Sequence, residues 1–489
     1  MPINLLNLPG FSSFSTLQKR VGALTIANAT KAVFTLIVAM VLVRILDPDN
    51  YGLYKKLWLL FSVTGPVFIS AMVRTLYYRG GRAEESSVAV WAVFITGIGY
   101  GILVAAIAIV GAPYWGNLFN APELETAFRR FALFMGLTTM AGLAEPVFII
   151  IGRKKWLVYF NIIYNLVEAC LIITPFALGL PLEQVVLVMA IGPLVRLLFI
   201  LWLVRHYLNT VASFNKIAGE LPLSLKYGAG ILLTTFVGVA ISDVDKWVVS
   251  LYFESNAIYA IYAIGARRIP FISALTTSVS SSLVYQYTSE LENNRFEEMM
   301  SAAKRITNRL ALVIVPLVLV LGLYAEELIV LVFESNYVDS TPIFRVYLIS
   351  ILSTLVFPHT VILGKGLSHI QAKFGMVELL SNLAISIVLV QYVGLLGPAI
   401  ATVTGNFIYM ALNLRYCSTH FQVPVHRFLP SAQLWPALFQ LLLFGAASYW
   451  VKAYFSLWVS IPFSGALLAL LYLYFGRRYT DITKRLLGD

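Results

Sequence analysis

The residues able to do chemistry in this sequence are ionisable side chains that stand inside long apolar runs. Lys31, Glu168, Arg267 and Arg268 fall near the middle of such runs. Arg74, Glu145, Arg196, His359 and Glu378 fall nearer one end, and Asp243, Asp245, Lys246 and Arg345 nearer the other. A charge in hydrocarbon is costly, so these side chains are expected to face a bundle interior or a water-filled cavity. Lys and Arg at that depth suit an anionic partner, phosphate above all. A carboxylate shielded from water suits a proton or Na⁺. Glu168 and Glu145 are the first candidates for that task, with Asp245 beside them. The plainer alternative is that the charges pair with one another to hold helices together, Asp245 with Lys31 or Arg267 and Glu168 with Arg196.

Helical spacing separates the two readings in part, because residues four apart share a face. Lys31 belongs to the small and polar series Ala23, Ala27, Lys31, Thr35, Ala39, against Val33, Phe34, Ile37 and Val41 on other faces. Asp245 ends the series Gly230, Thr234, Gly238, Ser242. Arg267 precedes Ser278, Ser281 and Tyr285 on one face, past a kink expected at Pro270. Lys31 and Arg267 are therefore placed on a cationic cavity wall, with Arg268, Arg74 and Arg196 as further candidates. Asp243 and Lys246 stand one turn apart and can simply pair. Cys170 and Cys417 form no CxxC motif, and there is no GxxxxGK[ST] loop for a nucleotide. No catalytic residue, metal set or cofactor is expected.

The elements that must position these residues are membrane helices. The chain has 489 residues, 59% hydrophobic and 12% charged, with a mean hydropathy of +0.81. A soluble protein carries about 25% charged residues. The fold class is all-α and polytopic, and at ~20 residues per span the apolar runs give about fourteen transmembrane helices. The net charge of +11 does not point to nucleic acid, because the basic residues sit at the ends of apolar runs. Arg79 and Arg82, Arg153 to Lys155, Lys304, Arg305 and Arg309 mark one side. Asp47, Asp49, Glu123, Glu125, Glu326 and Glu327 mark the other. By the positive-inside rule both termini are cytoplasmic, with Lys55 and Lys56 as the main exceptions. No loop is long enough for a soluble domain. The longest polar stretch, 286–307, reads as an amphipathic helix with Phe296, Met299, Met300 and Ala303 on its apolar face. A glycosyltransferase or polymerase acting outside the membrane would need an outer domain, and this chain offers none.

An internal repeat of about 210 residues runs through the sequence. Asp47 to Tyr54 echoes Glu254 to Tyr262, Gly152 to Asn165 echoes Gly366 to Asn382, and Gly179 echoes Gly394. The expected organisation is an N-lobe of six helices (1–209), a C-lobe of six (210–420), and two further C-terminal helices with a tail (421–489). A parallel repeat of this kind places a substrate site between its halves.

These residues carry a resemblance. Arg44-Ile-Leu-Asp-Pro-Asp-Asn-Tyr-Gly-Leu-Tyr54 resembles the R-x-L-x-x-x-x-Y-G-x-Y signature of polysaccharide exporters in the multidrug/oligosaccharidyl-lipid/polysaccharide (MOP) superfamily. Asp245-Lys246 with Tyr259 and Tyr262 resembles that family's second-half entry, and Gly364 to Asn382 with Gly394 to Ala401 its later spans. The best-matched branch is the Wzx-like flippases. The resemblance implies a cell-membrane protein that flips a lipid-linked oligosaccharide on a polyprenyl phosphate or diphosphate carrier by alternating access. Its setting would be O-antigen (lipopolysaccharide), capsule or exopolysaccharide assembly. Membrane lipids, a coupling proton or Na⁺ and other polysaccharide-assembly proteins are the expected partners. The chain departs from sister branches. Asn28 and Lys31 stand where many multidrug exporters of the superfamily carry a cation-binding Asp, and the Arg-rich pattern of the lipid II flippase branch is missing. A cation-coupled small-molecule exporter remains the first alternative and a membrane-embedded glycosyltransferase the second.

Overall fold

The computed structural model describes residues 15–80, 86–207, 214–290, 296–431, 435–456, 459–460 and 462–467, and every regular element among them is helical. The first ten helices are α1 (Ser15–Ile45), α2 (Pro48–Gly80), α3 (Ser86–Val110), α4 (Ala112–Leu118), α5 (Leu124–Met140), α6 (Ala144–Ile150), α7 (Lys154–Ala177), α8 (Leu182–Met189), α9 (Ile191–Tyr207) and α10 (Phe214–Tyr252). Then come α11 (Asn256–Gly265), α12 (Pro270–Glu290), α13 (Phe296–Leu323), α14 (Ala325–Phe333), α15 (Thr341–Ser353), α16 (Pro358–Gly364), α17 (Ser368–Val393), α18 (Leu396–His420) and α19 (Trp435–Tyr454).

Among the described residues eight helices are long and apolar enough to cross a membrane, or ten spans if each of two bent pairs counts as one. The chain is a multi-pass membrane protein, and the count of fourteen is not confirmed. α18 falls short because Thr402, Asn406, Asn413 and Arg415 dilute its apolar residues. The bent pairs both break before a proline. α11 and α12 meet at 51° with Arg267, Arg268 and Ile269 in the gap before Pro270, and α15 and α16 at 50° before Pro358. Proline disfavours helix at the preceding residue and cannot donate to the preceding turn. The expected kink at Pro270 is therefore a full interruption, and the two arginines sit in it.

The chain divides into two compact units, Met1–Ala260 and Ile261–Asp489. In the first, Met72 and Leu76 (α2), Val90 and Val93 (α3), Val147 and Phe148 (α6) and Ile200 and Leu203 (α9) form one buried core. Trp58, Phe61, Phe131 and Phe134 add an aromatic cluster with centroids 5.1 to 6.4 Å apart. Trp58 belongs to that cluster, and its Nε1 is buried.

In the second unit Met299 and Met300 of α13 pack with Tyr287, Ala311, Val361, Ile362 and Cys417. Of the expected amphipathic stretch 286–307, residues 286–290 end α12, 291–295 lie outside the described residues, and Phe296 onward forms the first turns of a long helix. Its Lys304 and Glu297 are tied to the segment after α18, through the His426 carbonyl and the Arg427 guanidinium. α17 and α18 pack through a polar seam. Gln371 Nε2 donates to Asn413 Oδ1 (2.5 Å), Asn382 Nδ2 to Thr402 Oγ1 (3.2 Å) and Ser386 Oγ to Asn382 Oδ1 (3.0 Å). In lipid there is little hydrophobic drive between helices, so such bonds and close small-residue packing carry the association.

Four glycines have left-handed backbone: Gly152 (φ 80°), Gly179 (75°), Gly366 (73°) and Gly394 (62°). They are the two pairs matched in the sequence repeat. Gly152, Gly179 and Gly366 each close a helix in the same way, with the next residue's N–H reaching back to a carbonyl in the last turn: Arg153 to Phe148, Leu180 to Pro175 and Leu367 to Ile362.

Candidate functional site

In the first unit four charged side chains come from four helices: Lys31 on α1, Glu145 on α6, Glu168 on α7 and Arg196 on α9. α1 packs along α7, and α6 and α9 both pack on α7. Each carboxylate interacts electrostatically with both cations. None of the four makes an ion pair within 4.0 Å among the described residues. The Arg196 guanidinium lies over the Tyr164 ring, 4.8 Å from its centroid, and its Nε is buried without a hydrogen-bond partner. The pairing weighed for Glu168 with Arg196 is therefore a looser arrangement in which both glutamates share both cations. Lys31 and Arg74 are exposed. Thr35 follows Lys31 one turn on and donates to its carbonyl at 2.8 Å. The side chains of Ala23, Ala27 and Asn28 lie outside the described residues.

Such a cluster is electrically balanced and loosely bonded. Adding a proton or a cation to one carboxylate frees positive charge for an anion, and an anion at Lys31 or Arg196 relaxes the hold on the carboxylates. Charges within electrostatic reach of one another are coupled in this way, more so where water is excluded.

Asp245 is not part of that cluster. It is fully buried on α10 and interacts with Tyr259. Asp243 and Lys246 form an ion pair, as their spacing allowed.

In the second unit Arg267 and Arg268 occupy the gap between α11 and α12. The Arg267 guanidinium lies 5.5 Å from the Phe333 ring centroid. Arg268 is exposed and interacts electrostatically with Glu378. Ser278, Ser281, Ser282 and Tyr285 are exposed along α12, a polar face on a membrane helix. Glu378 is 6% exposed, packs beside Gly405, and makes no hydrogen bond or ion pair among the described residues. The sequence named it by depth but not among the coupling candidates. The signal was readable, because Gln371, Glu378, Asn382 and Ser386 repeat at helical spacing and mark a polar face. His359 meets Ser280 at 3.1 Å.

A third group was missed. Lys56, read from sequence as an exception to the charge pattern, is completely buried in the first unit. Its Nζ donates to the Phe119 carbonyl and to Asn256 Oδ1, both at 2.6 Å, and stands 6.0 Å from the Tyr259 ring centroid. The local fold explains the placement. Asp47 accepts the Asn50 N–H at 2.9 Å and caps α2 ahead of Pro48. Asp49 Oδ1 accepts the Ala257 N–H at 3.1 Å, and Ser255 Oγ the Ile258 N–H at 3.3 Å, so α2 helps to cap α11. Gly52 allows the approach, since a Cβ there would stand 2.0 Å from the Asn256 carbonyl oxygen. Tyr51 and Tyr54 are buried alongside. The Y-G-x-Y motif is thus a docking surface for the start of α11.

The fold is shared with solved transporters. The lipid II flippase MurJ, in an inward closed conformation, matches with a TM-score of 0.69 at 15% identity, over 95% of this chain and 99% of that one. A point mutant of the Vibrio cholerae MATE transporter VcmN matches at 0.59 and 15% identity, over 85% and 99%. An inward-facing multidrug resistance MATE family transporter of the MOP superfamily matches at 0.61 and 13% identity, over 82% and 98%. These are transporters and a flippase, not enzymes. No curated protein matches the chain in sequence. A family model described as "polysaccharide biosynthesis protein" matches residues 41–342, which span the Y-G-x-Y motif, most of the charge cluster and the arginine gap, and the chain belongs to that family.

Proposed function

We propose that the chain translocates a lipid-linked oligosaccharide or polysaccharide repeat unit across the cytoplasmic membrane by alternating access, for O-antigen, capsule or exopolysaccharide assembly. The observation that carries this reading is the balanced cluster of Lys31, Glu145, Glu168 and Arg196, which couples anion-binding groups to groups that take a proton or Na⁺. Family membership supports a polysaccharide cargo, and the fold shared with a lipid II flippase supports a phosphate-linked lipid. Lys31, Arg74 and Arg196 in the first unit, and Arg267 and Arg268 in the second, supply contacts to the carrier phosphate. Glu168 and Glu145 take the coupling ion, with Asp245 as a further candidate. Both termini are cytoplasmic. The repeat organises the chain as six-helix lobes 1–209 and 210–420 with C-terminal helices after 420. Compactness divides it after Ala260 because α10 packs on α2 and α3.

The fold shared with MATE transporters favours a second reading, a cation-coupled small-molecule exporter. Cationic side chains at the proposed cargo contacts speak against cationic drugs. Purified protein in vesicles separates the two: transbilayer movement of a polyprenyl-linked glycan, without efflux of a cationic dye, is the expected result, and the reverse pattern rejects the proposal.

A further inference from the structure

The end of α2 and the first half of α10, both in the first unit, enclose an open cleft of about 480 Å³ that the transport reading does not use. Its lining includes Tyr78, Arg79, Leu223, Lys226, Tyr227 and Ile231. The Tyr78 and Tyr227 rings stack with centroids 4.2 Å apart and planes 4° from parallel. Glu220 accepts from Arg79 Nε and Nη2, both at 2.5 Å, which fixes the guanidinium plane and leaves Nη1 out of the pair. Lys226 is exposed and has no ion-pair partner among the described residues. With Arg79 neutralised by Glu220, the lining carries one net positive charge.

The cleft lies where the candidate span Pro48–Arg79 ends, and its basic residues Arg79 and Lys226 are of the type that gathers at the headgroup level. Leu223 is 49% exposed beside it, an apolar wall for an acyl chain. One net charge, two donors of different geometry, an aromatic wall and an apolar exit match one ligand chemistry. That chemistry is a phosphodiester monoanion attached to a lipid tail. A diphosphate would bring more negative charge than the cleft balances. The uncompensated charge of Lys226 at such a boundary attracts anionic lipid.

We propose that this cleft is a resident site for an anionic phospholipid, with the phosphate held by Lys226 Nζ and Arg79 Nη1 and the headgroup edge lying on the Tyr78–Tyr227 pair. Bound lipid would stabilise the contact between α2 and α10 by linkage.

The test uses the full-length protein in detergent with phosphatidylglycerol, phosphatidylcholine or soluble glycerol 3-phosphate added. Melting temperature and lipid retention by native mass spectrometry are read together. Phosphatidylglycerol is expected to raise the melting temperature by several degrees more than phosphatidylcholine and to be retained at least about threefold better. Lys226→Ala should remove that difference and leave the phosphatidylcholine baseline unchanged, and Lys226→Arg should keep it. Equal effects of the two lipids on the wild-type protein, or an undiminished preference in Lys226→Ala, would overturn the site. A shift of the same size with glycerol 3-phosphate alone would overturn its assignment to a lipid. Because the wild-type comparison stands alone, poor folding of a variant does not rescue the proposal.

Discussion

Lys56 Nζ donates to Asn256 Oδ1 at 2.6 Å, which ties α2, the helix that carries the end of the Arg44–Tyr54 motif, to the segment that starts α11. An ammonium that is completely buried must have its protons satisfied, and here two oxygens and a tyrosine face do so. Lys56→Met leaves the Phe119 carbonyl and Asn256 Oδ1 without that donor, and an unsatisfied buried polar group costs about 1–3 kcal/mol. The variant is expected to melt several degrees below wild type in detergent. Asn256→Leu is expected to melt lower still, because it takes away one of the two oxygens that hold a buried charge and leaves the charge in place. Arg129→Met, at an exposed i,i+4 pair with Glu125, should change little. Equal melting of Lys56→Met and Arg129→Met would contradict the role given to this bond.

Gly52 gives a sharper test of the same contact. A Cβ would stand 2.0 Å from the Asn256 carbonyl oxygen, a backbone atom that cannot swing aside. Gly52→Ala should therefore reduce the folded yield in the membrane severely. Gly230→Ala, where a Cβ meets nothing within 4 Å inside α10, should be tolerated or slightly stabilising. Wild-type yield of Gly52→Ala would show that α11 does not dock there.

The helix-closing glycines provide a prediction about backbone rather than packing. Gly152 and Gly366 have left-handed φ of 80° and 73°, and a Cβ at either would meet only open space, so conformation alone opposes substitution. Gly152→Ala and Gly366→Ala should each cost about 1–2 kcal/mol. Gly152→Asn and Gly366→Asn should recover part of that, since Asn visits this region more readily. Thermal unfolding of the single variants checks both, and a neutral alanine would remove the need for glycine at that helix end.

Much of this architecture is legible in the sequence, for physical reasons. Apolar runs of span length identify a membrane protein because lipid demands them. Pro270, next to two arginines, announces one of the two broken spans, whereas Pro358 does not stand out from Pro66, Pro175, Pro222 and Pro316, which lie inside continuous helices. The repeat between Gly152 and Gly366 is visible because left-handed helix ends restrict the residue type. What stayed hidden depends on contacts distant in the chain. Lys56 looks like any loop-end lysine until Phe119 and Asn256 are beside it. The α17–α18 seam stays hidden too, because Asn413 and Thr402 look like isolated polar residues in a span until Gln371 and Asn382 meet them. Lys31, Glu145, Glu168 and Arg196 could each be picked out by depth, but their assembly from four helices could not.

The cluster itself makes a prediction about coupling. Glu168→Gln and Glu145→Gln each remove one negative charge while keeping size. Each is expected to slow ion-driven transport by about tenfold or more, equivalent to about 1.4 kcal/mol, with abundance near wild type. Because the two carboxylates share Lys31 and Arg196, the double variant should lose less than the sum of the single effects. Additive losses would indicate that the glutamates act separately.

The most direct measurement is transbilayer movement of a polyprenyl-diphosphate-linked glycan in vesicles containing the purified protein, followed by access of an external glycosidase to the glycan. The account predicts movement that requires the protein, collapses in Lys31→Ala and Arg196→Ala while both remain folded and inserted, and responds to an imposed proton or Na⁺ gradient. Full movement with either alanine variant, or glycan that remains inaccessible with wild-type protein while a cationic dye is exported, would contradict it.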